Sequence, residues 1–315
     1  ENVKQEVIDN VNRLQNHPSI AIWCGNNEND EGWHNWGWQK QFNYSKADST
    51  QIWNDYKKVF HEIIPQTLDS LLPKEKNIYW SSSPSKGWGR KESLTQGDVH
   101  YWGVWWGKEP FEIYEKKVGR FVSEYGFQGI PNLETLQKVM NKQDLNFTSE
   151  AFKNHQKHPT GYETINEYME RDYVVPKDFE DYAYVSQLLQ ARGMKIAIEA
   201  HRRAKPYCMG TLYWQLNDCW PVTSWSSLDY YGNWKAFHYQ AKRSFENVLL
   251  SAEVTDSGIY KFFVINDGMQ NYSGELKAEI RNFSGQLLWQ RSSYCKSDAS
   301  SNVSAILLPF PSLKE

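Results

Sequence analysis

Two glutamates in this chain stand where a short apolar run gives way to a glycine turn, a placement suited to chemistry. Ile20 to Trp23 form an apolar, partly β-branched run, bounded by His17-Pro18 and Gly25. The run is too short for a helix and predicts a buried strand. It ends in Gly25-Asn26-Asn27-Glu28. Residues 120–131, RFVSEYGFQGIP, repeat the design: Phe121 and Val122, then Ser123 and Glu124, then a Gly and Pro turn. In a parallel sheet or barrel with helical crossovers, polar side chains converge at the carboxyl ends of strands. Two carboxyls so placed are what a retaining glycosidase needs. One starts protonated to donate to the leaving oxygen; the other is ionised and attacks the anomeric carbon, the two carboxyl groups lying ~5 Å apart.

The elements that must position them follow from periodicity. Val3, Val7, Val11 and Leu14 recur at helical spacing, so residues 2–16 predict an amphipathic helix feeding the first strand. Residues 31–48, with Trp33, Trp36 and Trp38 among glycines and polar residues, read as a long loop on the active face. Helical spacing returns over 50–72, interrupted by Pro65, and a strand is expected from Asn77 through Ile78-Tyr79-Trp80. Val99 to Trp102 predicts a further strand, Glu112 to Val118 a helix, and Phe121 to Glu124 a strand. A helical stretch fills 132–205, its best helix running from Asp178 to Ala204. Cys208 to Leu216 then reads as a last strand and Trp234 to Phe245 as a closing helix. From Leu249 the pattern changes to short alternating runs with a hairpin signal at Asn266-Asp267-Gly268, which predicts a β-sandwich.

Three stretches in this order, WCGNNEND, SEYGFQGIP and TLYWQLNDCWPVTSWSSLDYYGNWKAFHY (211–239), closely resemble the β-mannosidases of glycoside hydrolase family 2. The resemblance covers most of residues 1–250. It implies an α/β fold, a (β/α)8 TIM barrel over 1–248 of which strands four to eight are present. A small immunoglobulin-like β-sandwich over 249–315 would follow it. It also implies that the first three strands belong to a preceding portion of the same enzyme, which becomes an expected partner of this chain. Half a barrel would leave strand edges and apolar surface uncovered, so full activity is expected only with that portion.

By the same resemblance Glu28 is the general acid and base and Glu124 the nucleophile of a retaining exo-β-mannosidase acting on oligosaccharides with terminal β-mannose. Asn27 would hydrogen-bond the sugar 2-hydroxyl, and Trp214 would form the aromatic platform under the reacting sugar. His100, Trp102 and Trp36 are further candidates for lining the substrate pocket. The family's tyrosine partner of the nucleophile has no clear counterpart here, because Tyr101 is crowded by Trp102, Trp105 and Trp106. Asp218 and Asp229 suit loop anchoring better than catalysis. The alternatives are another family 2 glycosidase, such as an exo-β-glucosaminidase or an endo-β-mannosidase, or a non-catalytic fragment of one.

Composition narrows the remaining classes. A net charge of −3 gives no electrostatic footprint for nucleic acid. No apolar run approaches the length of a membrane span. Fifteen tryptophans and nineteen tyrosines suit the apolar faces of sugars as well as core packing. No cofactor or metal set is expected, His155 and His158 reading as structural. Of the four cysteines, three fall in or beside expected strand ends and read as buried free thiols. A periplasmic, lysosomal or secreted compartment is favoured over the cytoplasm.

Overall fold

A computed structural model of the chain describes residues 1–75, 78–255 and 259–309, without the side chains of 302–309. The first residue of the expected second strand, Asn77, and the end of the expected sandwich, 310–315, lie outside the described residues. The chain divides into two compact units, Glu1–Tyr101 with Gly119–Ser123, and Trp102–Val118 with Glu124–Glu315.

The first unit opens with α1 (Asn2–Leu14), whose Val11 packs on Ile64, Leu68 and Leu72. Next come β1 (Trp23–Cys24), α2 (Asn29–Asn35), α3 (Trp38–Gln41), α4 (Lys46–Lys57) and α5 (Ile64–Leu71). The expected loop over 31–48 therefore holds α2 and α3. Its tryptophans pair with other rings, Trp33 stacking on Trp53 at 5.8 Å and Trp36 meeting Trp38 edge-on at 5.7 Å, and the loop's glycines do not stop helical turns. A π-helical turn over Lys58–Ile63 joins α4 to α5, so Pro65 does not break the helix. The Ile64 N–H goes to the Val59 carbonyl, and Pro65 has no N–H to offer Phe60. The hydroxyl of Tyr79 donates to that Phe60 carbonyl instead, at 2.8 Å, tying the helix to the sheet beneath.

That sheet is β1 paired in parallel with β2 (Tyr79–Trp80), Trp23 opposite Tyr79 and Cys24 opposite Trp80. The pairing continues as an isolated bridge between Asn27 and Ser83. A second short sheet joins β3 (Val99–His100) to β4 (Val122–Glu124). The expected burial of the first strand does not hold: Ile20 and Ile22 are 38% and 48% exposed, Trp23 is half-buried and Cys24 exposed. Among the described residues β1 has a strand on one side only, at β2, and the ladder begins at Trp23, after Ile20 and Ile22.

In the second unit the expected helix at 112–118 is a single 3-10 turn, Phe111–Glu115. The helical stretch comprises α6 (Leu133–Gln137), α7 (Glu150–Asn154), α8 (Gly161–Asp172) and α9 (Phe179–Arg203), and α10 (Ala236–Ser244) closes it. The expected strand over Cys208–Leu216 forms no ladder. The Trp214 N–H donates to Tyr125 O and the Gln215 N–H to Trp225 O, bonds to neighbours on either side around which no strand forms. Cys208 and Cys295 are buried free thiols, whereas Cys24 and Cys219 are exposed, correcting the expectation of three buried ones.

Beyond α10 the chain forms two antiparallel sheets. One has the order β5 (Val248–Val254), β6 (Ile259–Asn266), β9 (Ser301–Pro309); the other pairs β7 (Tyr272–Arg281) with β8 (Leu287–Ser297). Val264 of β6 packs with Leu276 of β7 and Cys295 of β8, making the core between the two sheets. The end of α9 is bonded into the first sheet. Arg203 donates to Glu115 at 2.6 Å and to Ser251 Oγ at 2.7 Å, and Ser251 in turn donates to Glu199 at 2.6 Å. Arg202 and Lys205 both pair with Asp267.

The start of α9 is set by Asp178, whose carboxylate accepts the N–H groups of Glu180 and Asp181. Asp178→Ala is expected to lower the unfolding free energy by about 1 kcal/mol, while Asp178→Asn loses only a fraction of that, measured by urea titration followed by circular dichroism.

Candidate active site

In the first unit the candidates gather at the loop after β1. Glu28 sits in the left-handed region, φ 59°, as the residue capping α2. For a non-glycine residue that conformation costs about 1–2 kcal/mol, and it persists only where the surroundings over-determine it. Here they do. The Glu28 N–H donates to Ser83 O at 3.0 Å, and the Ser83 N–H donates to Asn26 O at 2.9 Å. The Asn26 side chain knits the same turn, donating to Ser81 O at 2.8 Å and accepting from the Asn29 N–H and the Ser82 hydroxyl. Gly25 permits the close approach: a Cβ there would lie 2.4 Å from the Tyr79 hydroxyl and 2.5 Å from Ser81 O. Three residues into α2, buried Glu31 accepts from the Gly87 N–H at 2.9 Å and pairs with Arg90 at 3.1 Å, fixing the loop after β2.

The Glu28 carboxyl, 19% exposed, meets His100 Nδ1 at 2.7 Å. His100 is buried at the end of β3, and its Nε2 lies 3.2 Å from the Ser83 hydroxyl. Ser83 donates to Asp98 Oδ2 at 2.6 Å, Ser123 donates to the same oxygen at 2.5 Å, and the Trp80 indole N–H donates to Oδ1 at 2.9 Å. Asn27 holds the bridge to Ser83, and Trp36 ends α2 with 49% of its surface exposed.

In the second unit the Trp102 indole N–H donates to Glu124 Oε1 at 3.0 Å. Trp102 is buried, edge-on to Trp225 at 6.0 Å. It supplies the donor to Glu124 for which no tyrosine position could be assigned from sequence. Gly126 lies under this group: a Cβ there would meet Trp214 O at 2.4 Å and the Trp102 ring at 3.3 Å. Trp214 is 43% exposed, its backbone N–H bonded to Tyr125 O and its peptide link to Gln215 cis. Tyr125, fully buried, bonds through its hydroxyl to Thr211 Oγ1 at 2.8 Å, and Thr211 Oγ1 lies 2.9 Å from His201 Nδ1. Asp218 and Asp229 are buried loop anchors. Asp218 accepts from Lys157 and Ser224, and Asp229 from Thr135 and the N–H groups of Tyr231 and Asn233.

Within the first unit, then, Glu28 and His100 are in contact and Asn27 precedes Glu28 at the bridge to Ser83, while Trp36 meets Trp38 edge-on. Within the second, Trp102 and Glu124 are in contact, and Trp214 is tied to the residue after Glu124. Sequence reasoning passed over Asn26, Ser83 and Asp98. Two signals pointed to them: Asp98 and His100 are two apart in an extended run and so share a face, and Ser81-Ser82-Ser83-Pro84 puts hydroxyls at a strand end.

Comparison with known proteins agrees with the motifs. Residues 258–315 match the family model described as a Mannosidase Ig/CBM-like domain. The chain is 31% identical to a β-mannosidase of Rattus norvegicus, covering 91% of this chain and 34% of that protein. It is 30% identical to β-mannosidase B of Aspergillus niger, covering 89% and 35%. The crystal structure of a β-D-mannosidase from Dictyoglomus thermophilum superposes with a TM-score of 0.85 at 31% identity, over 99% of this chain and 37% of that one. An Amycolatopsis orientalis exo-chitosanase shares the fold at a TM-score of 0.68 and 17% identity. The chain is thus homologous to β-mannosidases along nearly its whole length, and spans about a third of the curated relatives it matches.

Burial pushes His201 down to about 3, so it is neutral in the folded chain near neutral pH. Unfolded, it takes up a proton near the ordinary histidine value of about 6.5. The stability it contributes is therefore full above pH 6.5 and is lost as pH falls from there toward 3, in total a few kcal/mol at most by order of magnitude. Denaturant melts across this window should show that slope, and His201→Gln should flatten it.

Proposed function

We propose that the chain carries both catalytic carboxylates of a retaining exo-β-mannosidase, Glu28 as general acid and base and Glu124 as nucleophile. The observation that carries this reading is the contrast between their partners. Glu28 faces a histidine nitrogen that can share a proton with it, as an acid needs. Glu124 accepts from an indole N–H, a group that stabilises the ionised form and does not titrate in water. A carboxyl that can exchange a proton with its neighbour suits the acid, and one held by a donor that does not titrate suits the nucleophile.

In the first step Glu124 attacks the anomeric carbon while Glu28 protonates the departing oxygen. In the second, Glu28 takes a proton from water as the water oxygen displaces Glu124, and the sugar leaves with its configuration retained. Asn27 would bond the 2-hydroxyl, where a hydrogen bond that strengthens in the transition state raises the rate. Trp214, with its exposed ring, would be the platform beneath the sugar, and Trp36 and Trp102 would line the pocket. The fold we propose for 1–248 is a (β/α)8 barrel in which β1 to β4 are strands four to seven and the 208–216 run is the eighth. The sandwich would occupy 249–315. The remaining strands, and part of the contacts to the axial 2-hydroxyl of mannose, would come from a preceding portion of the enzyme. The rival is an exo-β-glucosaminidase, which would use the same two carboxylates on a different 2-substituent.

The test is a panel of nitrophenyl β-mannoside, β-glucoside, β-galactoside and β-glucosaminide with purified chain, alone and with the preceding portion. Mannoside is expected to be preferred, and Glu124→Gln to abolish its turnover. Glu28→Ala is expected to lose roughly 100- to 10,000-fold on substrates with poor leaving groups. Trp102→Phe, which keeps an aromatic ring but removes the indole N–H, should lower kcat more than it raises KM. Preference for the glucosaminide would move the assignment to the rival activity.

A further inference from the structure

We propose that Ser83 and Asp98 set the tautomer of His100, and in doing so store the proton that Glu28 delivers. They are then positioning residues for the acid, an inference that rests on the reading of Glu28 given above. The argument is one of counting hydrogens. The Ser83 hydroxyl has a single hydrogen, directed to Asp98 Oδ2 at 2.6 Å. Asp98 also receives the Ser123 hydroxyl on the same oxygen and the Trp80 indole N–H on the other. Three donors converging on one carboxylate make it the acceptor throughout. The Ser83 oxygen, 3.2 Å from His100 Nε2, is left only its lone pairs to offer the ring, so Nε2 carries a hydrogen.

That conclusion constrains the other nitrogen. Nδ1 lies 2.7 Å from Glu28 Oε1, a distance that requires a hydrogen between them. With Nε2 already protonated, two arrangements remain: a neutral ring accepting from a protonated Glu28, or an imidazolium donating to an ionised Glu28. In both, the pair holds the proton needed for the leaving group. The excluded arrangement is a neutral ring with its hydrogen on Nδ1 and Nε2 bare, which would satisfy Glu28 as a carboxylate with no acid proton in the pair.

The same geometry accounts for the return of the proton. When the pair gives its proton to the leaving oxygen, the Glu28 carboxylate faces the Nδ1 lone pair, and the two repel. The repulsion is relieved when the proton of the attacking water returns to the pair as the water oxygen bonds the anomeric carbon. One proton leaves in the first step and one arrives in the second. His100, Ser83 and Asp98 end as they began.

The experiment is nitrogen NMR of the chain labelled with 15N at its histidine rings, the His100 signals assigned by their loss in His100→Gln. The expected result near neutral pH is a protonated Nε2 in the unaltered chain, with the hydrogen moving partly to Nδ1 in Ser83→Ala and Asp98→Asn. A bare Nε2 with the hydrogen on Nδ1 in the unaltered chain would overturn the proposal, whether or not a variant folds. Turnover supplies the second readout. Ser83→Ala should lose about tenfold or more on an oligosaccharide, part of the roughly 100- to 10,000-fold that acid catalysis supplies, and far less on a dinitrophenyl mannoside. Equal losses on both substrates would reduce Ser83 to a structural role and overturn it as well. Glu28→Ala run in parallel separates the two claims: if its loss ignores the leaving group, the reading of Glu28 fails while the NMR result still reports the tautomer.

Discussion

The hydrogen bond between Glu28 and His100 is the constraint on which the first unit depends. A carboxyl group and a buried imidazole 2.7 Å apart need one proton between them, and every group around them is arranged to keep that geometry. Glu28 adopts a left-handed backbone that its residue type disfavours, and the Asn26 side chain, the Ser83 backbone and the first turn of α2 offset the strain. Asp98 collects three donors on the far side of the imidazole. A rigid scaffold is what preorganised chemistry requires, because the site then reorganises little during reaction.

The second unit treats its glutamate differently. The indole of Trp102 gives Glu124 a donor without a titrating proton, and the half-buried Trp225 ring packs edge-on against that indole. Tyr125, next in sequence, is locked through Thr211 to His201 at the end of α9. The same stretch of α9 reaches into the first sheet of the sandwich through Arg203 and Ser251. The end of α9 thus carries polar contacts both to the sandwich and to Tyr125 after β4, so loosening it would be felt at Tyr125.

Much of this was legible in the sequence, for identifiable reasons. Apolar spacing located α9 to within a residue at each end, because a long amphipathic helix carries its own signal. The strand starts at Trp23, Tyr79, Val99 and Val122 fell close to expectation, yet their ladders are only two or three residues long. Ladder length depends on which neighbour each N–H meets, and local pattern is silent on that. The same limit applies to 208–216, where the bonds of Trp214 to Tyr125 and of Gln215 to Trp225 do not extend into a strand. At the candidate site the carboxylates, His100 and Trp102 were visible as residue types in motif positions. The partners of Glu28 were less so, since the Ser83 and Asp98 contribution arises from hydrogen counting across three segments.

The most direct test of the central claim is chemical trapping followed by peptide mass spectrometry. The chain, together with its preceding portion, would be treated with a 2-deoxy-2-fluoro-β-mannosyl fluoride, which forms the glycosyl-enzyme and slows its hydrolysis. The account predicts a fluoromannosyl adduct on Glu124, within residues 120–131, and none in Glu124→Gln. An adduct on Glu28 or elsewhere, or release of product with inverted configuration, would contradict it.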